Sequence, residues 1–124
     1  AVNDGFVVLF ESHFKRNYIH VRDVSRVFQH AINNHESMKG EIYNVGLSDA
    51  NVSKKELCEH IQKQLPEFIF VDQQIGKDPD QRNYNVSNEK IESTGFDTEF
   101  SLDRGIGELI KGYRMIKNTR YGNV

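Results

Sequence analysis

The sequence predicts an α/β fold: a small mixed sheet with flanking helices, in a single domain spanning residues 1–124. Two short segments, 6–10 and 68–71, are continuously apolar and rich in β-branched and aromatic residues, which is typical of buried strands. Between and after them, apolar residues recur at helical spacing. Strands that alternate with helices favour the α/β class.

The first half of the chain is expected to begin with two strands and a helix. Residues 6–10 suit a strand covered on both faces, and residues 18–21 a second, shorter strand. Asp23 is a good N-cap for the helix that follows, which residues 33–34 end. The apolar face of this helix is predicted to comprise Val24, Val27, Phe28, Ala31 and Ile32.

The second half is expected to alternate in the same way. Residues 41–45 indicate a strand, and Ser53 with Glu56 three positions later forms a capping box that begins a second helix. Pro66 ends that helix. Residues 68–71 then form a buried strand.

The last third begins with the polar residues 76–82, which indicate a loop. A short helix is expected from Ser87 to Ile91. A long helix is expected to begin near Asp103, where apolar residues again keep the helical period.

Composition excludes several classes of function. A net charge of −2 argues against a strongly basic nucleic-acid-binding protein, and no apolar run approaches the roughly 20 residues of a membrane span. We therefore expect neither nucleic acid nor membrane as a partner. A single cysteine excludes an internal disulfide framework and is typical of a reducing compartment, so a cytoplasmic location is expected.

Familiar catalytic and metal-binding motifs are missing. There is no GxGxxG or Walker A loop, the five histidines lack metal-ligand spacing, and Cys58 lies on the apolar side of its helix. Tyr113 and Lys117 match the two-residue pattern YxxxK, which we interpret as a chance match. We therefore assign no catalytic, cofactor-binding or metal-binding residues. The basic residues near the C-terminus are interpreted as a solvated helix face: Lys111, Arg114, Lys117 and Arg120.

A dispersed set of residues could bind a diphosphate. Arg16 precedes the second strand, and Lys77 and Arg82 flank Asp80 in the polar loop, with Tyr84 just beyond. Arginine pairs with phosphate oxygens, and an aromatic ring covers a base or a sugar. Taken alone, each residue is better explained as a surface charge, and spacing does not show that they converge.

Four ordered segments carry a resemblance to a known family. Residues 15–28 (KRNYIHVRDVSRVF) closely resemble the R-D/N-Y-I-H-V-x-D-V-A-x-A signature of extended short-chain dehydrogenases/reductases, the NAD(P)-dependent sugar-nucleotide epimerases and dehydratases. Residues 40–46 resemble the family's G-E-x-Y-N-V-G strand, and residues 51–57 its N-x-S-x-x-E-L helix start. Residues 78–96 resemble its R-P-G-D-x-R-x-Y…D-x-S-K…L-G-F/W region.

The resemblance implies that the chain is the C-terminal, substrate-binding lobe of such an enzyme, without the N-terminal Rossmann dinucleotide-binding domain. It implies that Arg16 and Lys77 contact a nucleotide diphosphate and that Asp80 and Tyr84 shape the nucleotide pocket. Arg82 matches an arginine of the dehydratase-like members. Asn17 stands where an aspartate is frequent, and Lys77 where arginine is usual.

The implied function is nucleotide-sugar binding for an enzyme that uses NAD or NADP, which this lobe alone would not bind. By itself the chain is expected to be inactive. Its expected partners are a nucleotide-diphosphate sugar and the missing Rossmann half. A bare apolar face on the long helix or on residues 6–10 would favour self-association, so a homodimer is included. The alternative is a stand-alone, non-catalytic binding or interaction module derived from that lobe.

Overall fold

Nine helices and strands make up the part of the chain that the computed structural model describes, residues 1–76 and 82–116. A single 3-10 turn, Ser48–Ala50, precedes the third strand. The elements in chain order are β1 (Phe6–Phe10), β2 (Lys15–Asn17), α1 (Val21–Asn33), α2 (His35–Met38), β3 (Asn51–Ser53), α3 (Lys54–Gln64), β4 (Ile69–Gln73), α4 (Glu89–Glu92) and α5 (Leu102–Met115).

The strands form two pairs, one parallel and one antiparallel. β1 and β4 are parallel, with Phe6 opposite Ile69. β2 and β3 are antiparallel, with Arg16 opposite Val52. The predicted α/β class with mixed strand pairing is confirmed. The mixed character comes from two separate two-stranded sheets within the described residues.

Two apolar clusters hold the elements together. The larger cluster joins β1, α3, the start of β4 and α5. The smaller cluster joins α1 and α4. Cys58 packs in the larger cluster, as predicted, and burial raises the pKa of its thiol. The buried members are Leu9, Cys58, Leu65, Phe68, Ile106 and Ile110 in the larger cluster and Val27, Met38, Ile91 and Phe96 in the smaller.

The prediction that residues 6–10 are covered on both faces is wrong. Leu9 is buried, whereas Phe6, Val8 and Phe10 are exposed. Successive side chains of a strand point to opposite faces, and in the described part of the chain only one face of β1 packs on the core.

The start of α1 also differs from the prediction. Residues 18–21 form no strand, because β2 ends at Asn17 and α1 begins at Val21. The N-cap is His20, whose Nδ1 accepts a hydrogen bond from the backbone N–H of Arg22. Asp23 lies one turn further on and is fully buried.

A tertiary contact explains the position of Asp23. Its carboxylate accepts hydrogen bonds from the backbone N–H groups of Glu99 and Phe100, both at 3.0 Å, and from Arg26 at 2.6 Å. Burial would raise the pKa of Asp23, but these three bonds outweigh it and hold the pKa below its usual value. Asp23 therefore fastens α1 to the segment before α5.

Two further predictions differ from the structure, one wholly and one in part. Residues 41–45 pair with no strand in the described part of the chain, so the strand predicted there is absent. On α1, Val27 is buried as predicted, but Phe28 and Ile32 are exposed.

The later elements follow the predictions more closely. Ser53 and Glu56 form the predicted capping box, which places α3 one residue after Ser53. The predicted strand at 68–71 is found as β4, shifted toward its C-terminal side, but the prediction that it is buried is wrong, because Ile69 and Val71 are exposed. The short helix α4 begins after Asn88, and α5 begins one residue before Asp103, with Ser101 as its N-cap.

Candidate functional site

Arg16 and Tyr84, two of the predicted substrate-binding residues, lie against each other. The guanidinium carbon of Arg16 is 5.3 Å from the centre of the Tyr84 ring, within the range of a cation–π contact. Tyr84 is partly exposed, so its ring remains accessible at the surface. The arrangement places the guanidinium of Arg16, whose Nη1 donates to the carbonyl of Lys15 at 2.8 Å, beside an aromatic face.

Backbone contacts join the two segments that carry this pair. The backbone N–H of Lys15 donates to Asn83 Oδ1 at 2.9 Å, and the N–H of Tyr84 donates to the carbonyl of Lys15 at 3.4 Å. Asn51 on β3 adds a two-bond clamp: its Nδ2 donates to the carbonyl of Val86, and its Oδ1 accepts from the N–H of Val86. These bonds therefore hold residues 83–86 beside β2 and β3.

A second clamp lies at the end of β2. Asn17 Nδ2 donates to the carbonyl of Leu47 at 2.8 Å, and its Oδ1 accepts from the N–H of Leu47 at 3.2 Å. A Cβ on Gly46 would lie 1.7 Å from Asn17 Oδ1, so this clamp requires glycine at position 46. An aspartate at position 17 could accept from Leu47 but not donate, which accounts for the amide in this chain.

The remaining predicted site residues are Lys77, Asp80 and Arg82. Lys77 and Asp80 lie outside the described residues. Arg82 is exposed, two positions before Tyr84. The role expected of these three residues stays a prediction.

A large, mostly apolar cavity of about 870 Å³ lies between α3, α5 and the first residues of the chain. Its lining does not include Arg16, Arg82 or Tyr84. Tyr18 lies in its wall, and burial raises the pKa of the Tyr18 phenol although the charge of Arg16 opposes that rise. Because Tyr18 lies two positions after Arg16, the cavity wall includes the chain segment that directly follows β2.

His20 stands at the rim of this cavity in an ordered polar cluster. Its ring stacks on Phe100 with centroids 4.5 Å apart, and its Nε2 lies 3.2 Å from Glu108 Oε2. Desolvation would raise the pKa of Glu108, but the charge of Arg22 and the contact with His20 hold it below its usual value. His20 was missed as a site residue, although it lies within the YIHV segment.

Two of the glycines in α5, Gly105 and Gly107, lie close to side chains of neighbouring segments. A Cβ on Gly105 would lie 3.3 Å from the His20 ring, and one on Gly107 would lie 2.9 Å from Gln64 Oε1. Both lie inside the helix, so they do not form a phosphate-binding turn at a helix start. Tyr113 lines the cavity, and Lys117 lies outside the described residues.

Residues 1–76 and 82–116 contain neither a metal-ligand cluster nor a helix that could span a membrane. Within those ranges, no three His, Cys, Asp or Glu side chains come together as metal ligands would. None of the helices in them combines the length and apolar character that crossing a membrane requires.

No protein-family model matches the chain. Among solved structures, it is similar to RMD from Pseudomonas aeruginosa complexed with NADPH (TM-score 0.72, 18% identity). It is also similar to L-threonine dehydrogenase from Phytophthora infestans (0.77, 15%) and to dTDP-glucose 4,6-dehydratase from Bacillus anthracis in complex with NAD (0.63, 20%).

These similarities cover most of this chain and a minority of each relative. The match includes 91%, 93% and 89% of this chain, in the same order, but only 37%, 38% and 35% of the other chains. All three are extended short-chain dehydrogenases/reductases. The fold expected from the sequence resemblance is therefore confirmed: it is the fold of about a third of such an enzyme.

Proposed function

We propose that this chain is the C-terminal, substrate-binding lobe of an NAD(P)-dependent sugar-nucleotide epimerase or dehydratase of the extended short-chain dehydrogenase/reductase family, and that it is inactive by itself. Its ligand is a nucleotide-diphosphate sugar. The observation that carries this proposal is the contact between Arg16 and Tyr84.

The pair suits the two halves of such a ligand. A guanidinium can donate two parallel hydrogen bonds to diphosphate oxygens, and a partly exposed tyrosine ring can cover a base or a ribose. The clamps formed by Asn17 and Asn51 hold the backbone around both residues, so ligand binding need order only their side chains. In the intact enzyme, this lobe would hold the substrate and orient its sugar.

The residues of this lobe do not fit a dinucleotide. The chain has no glycine-rich turn that opens a helix, and Gly105 and Gly107 pack against neighbouring side chains instead. We therefore assign NAD or NADP to the Rossmann half and derive no hydride step from these residues. The complexes of two structural relatives with NADPH and NAD support NAD(P) as the cofactor of the intact enzyme.

Fold does not determine the substrate. The relative with a TM-score of 0.77 is a dehydrogenase of L-threonine, whereas another is a dehydratase of dTDP-glucose. The choice of a nucleotide-diphosphate sugar therefore depends on the Arg16–Tyr84 pair and the sequence motifs. A guanidinium also pairs with the carboxylate of an amino acid, so the partly exposed Tyr84 ring, which suits a base or a ribose, is what favours a nucleotide.

Replacing Arg16 by Ala is expected to weaken the binding of nucleoside diphosphates by about 10- to 150-fold, the equivalent of about 1.5–3 kcal/mol for a charge-assisted hydrogen bond. Calorimetric titration of UDP, GDP, ADP and dTDP against the chain measures the effect. The matching monophosphates should bind less tightly than the diphosphates and lose less affinity in Arg16→Ala.

Arg114→Ala is the matched control, because Arg114 is exposed on α5 and pairs with Glu67 at 3.4 Å. This variant removes the same charge and should leave diphosphate affinity unchanged. An equal loss in both variants would mean that net charge alone drives binding. Saturable binding of L-threonine without binding of any diphosphate would overturn the proposed substrate class.

The chain is expected to show no saturable binding of NAD⁺ or NADPH in the same titrations, since it lacks the phosphate-cradling turn. A measurable affinity that survives Arg16→Ala would contradict the division of labour between the two halves. A dinucleotide affinity that Arg16→Ala abolishes would instead show that the diphosphate site accepts it.

A further inference from the structure

The first residues of the chain have the hydrogen bonding of the end of an α-helix. The backbone N–H of Gly5 donates to the carbonyl of Ala1 at 2.9 Å, and Gly5 has φ +70°. A glycine in the left-handed region whose N–H bonds back to the fourth residue before it is the αL motif that ends helices. Residues 1–4 therefore have the geometry of a last helical turn.

That turn lies in the wall of the 870 Å³ cavity. Residues 1–4 line it together with side chains of α3 and α5. Val2 already packs against the larger apolar cluster. Positions three and four residues before Val2 would share its helix face, so a helix continuing upstream would turn that face toward the same cluster.

The cavity wall carries apolar groups that nothing in the described part of the chain covers. Leu109 on α5 lines the cavity with 62% of its surface exposed, and Tyr113 one turn later with 49%. Val21, at the start of α1, also lines the cavity and is exposed. Together they present an apolar surface of the kind that another element covers.

We propose that this cavity is the seat of an amphipathic helix that immediately precedes Ala1 in the parent polypeptide and ends at Gly5. Its apolar face packs on Leu109, Tyr113 and Leu57. The solved relatives are long enough to supply such a segment, because the match covers only 35–38% of their chains. This inference and the proposed function both assume a longer parent chain, but this inference does not depend on the ligand.

The test lengthens the chain at its N-terminus by the roughly 15 residues encoded upstream of Ala1, a helix of about 22 Å. The longer chain should unfold at a temperature at least about 5 °C higher, the shift expected from a gain of about 1–2 kcal/mol in a domain of this size. The gain should not depend on protein concentration. Binding of the dye ANS to the apolar wall should fall.

Leu109→Arg should remove this gain, because it places a charge under the seated helix. Met115→Arg is the control on the same helix: Met115 is 81% exposed and does not line the cavity. In the 124-residue chain the two variants should have similar, small effects. If that chain is unfolded and the longer one folds, Leu109→Arg should still lower the unfolding temperature of the longer chain more than Met115→Arg.

Two results would overturn the inference. One is a longer chain without added stability, or with a gain that Leu109→Arg leaves intact. The other is a dimer of the 124-residue chain, detected by sedimentation, that Leu109→Arg dissociates and the added residues do not, since a second copy would then fill the cavity. Because stability and diphosphate affinity are measured separately, failure of this inference is distinct from failure of the proposed function.

Discussion

Replacing Asp23 by Ala is expected to lower the free energy of unfolding by about 3–5 kcal/mol, the largest effect of any single polar side chain in the described structure. The carboxylate is fully buried and satisfies the N–H groups of Glu99 and Phe100. Its loss leaves two backbone donors without an acceptor and separates α1 from the segment before α5. Urea denaturation followed by circular dichroism measures the change.

Graded variants keep this prediction testable if Asp23→Ala does not fold. Asp23→Asn retains one acceptor oxygen but turns an amide N–H₂ toward a backbone donor, so it should cost less than Asp23→Ala. Arg26→Ala removes one of the three bonds to Asp23, together with a bond to the carbonyl of Asp97, but Arg26 is partly exposed, so the cost should be about 1–2 kcal/mol. Asp49→Ala, at an exposed position, should change stability by less than about 0.5 kcal/mol.

The pH dependence of stability should carry the signature of a depressed carboxyl pKa. Because the pKa of Asp23 is lower in the folded chain, ionised Asp23 stabilises the fold fully above its unfolded value of about 3.9. That contribution is lost as the pH falls through the folded pKa. The difference in stability between wild type and Asp23→Asn should be constant from pH 7 to about 5 and shrink below about 4. A constant difference down to pH 2.5 would contradict this assignment.

Local signals in the sequence predicted the helices well. The capping box of Ser53 and Glu56 involves residues three positions apart, and the apolar period of α1 repeats within four, so both depend on neighbours in sequence. Asp23 has the same local appearance as an N-cap. The two backbone N–H groups that its carboxylate binds lie 76 and 77 positions away, which no local pattern contains.

The strands were predicted less well, because a strand exists only beside a partner. Residues 41–45 have the composition of a strand but meet none in the described part of the chain. β2 is short, and the YIHV segment that follows it turns into α1 at Val21. The exposure of apolar residues on β1 and α1 differs from the prediction for a related reason. Apolar residues indicate that a face can be buried, but they do not show whether another element packs on it.

Part of the candidate site could be predicted and part could not. The resemblance in motifs pointed to Arg16 and Tyr84, and residue types alone suggested a diphosphate. Their approach to 5.3 Å depends on backbone bonds between Lys15 and residues 83–84. These bonds join distant segments and have no sequence signature. His20 could not be predicted as a site residue, because its ring interacts with Phe100 and Glu108, which are distant in the sequence.

Gly46→Ala is expected to destabilise the chain by about 2 kcal/mol, although alanine is the smallest possible addition. The new Cβ would meet Asn17 Oδ1 at 1.7 Å, so Asn17 must release both of its bonds to Leu47. Each such bond is worth about 0.5–1.5 kcal/mol. Gly112→Ala is the matched control, because it lies inside α5 with nothing within 4 Å of the added Cβ. It should stabilise the chain by about 0.5–1 kcal/mol.

A double-mutant cycle with Asn17→Ala identifies the cause. Once Asn17 is truncated, the clash and the clamp are both gone, so Gly46→Ala should cost less than about 0.5 kcal/mol in that background. The resulting coupling energy, about 1.5 kcal/mol or more, would assign the requirement for glycine to the clamp. Additive effects would instead place the strain elsewhere, with Asn88 Oδ1, 3.0 Å from the same Cβ, as the remaining contact. Asn17 directly follows Arg16 on β2. A coupling energy between Asn17 and Gly46 would therefore also show that the loop at Leu47 helps to fix the strand that carries Arg16.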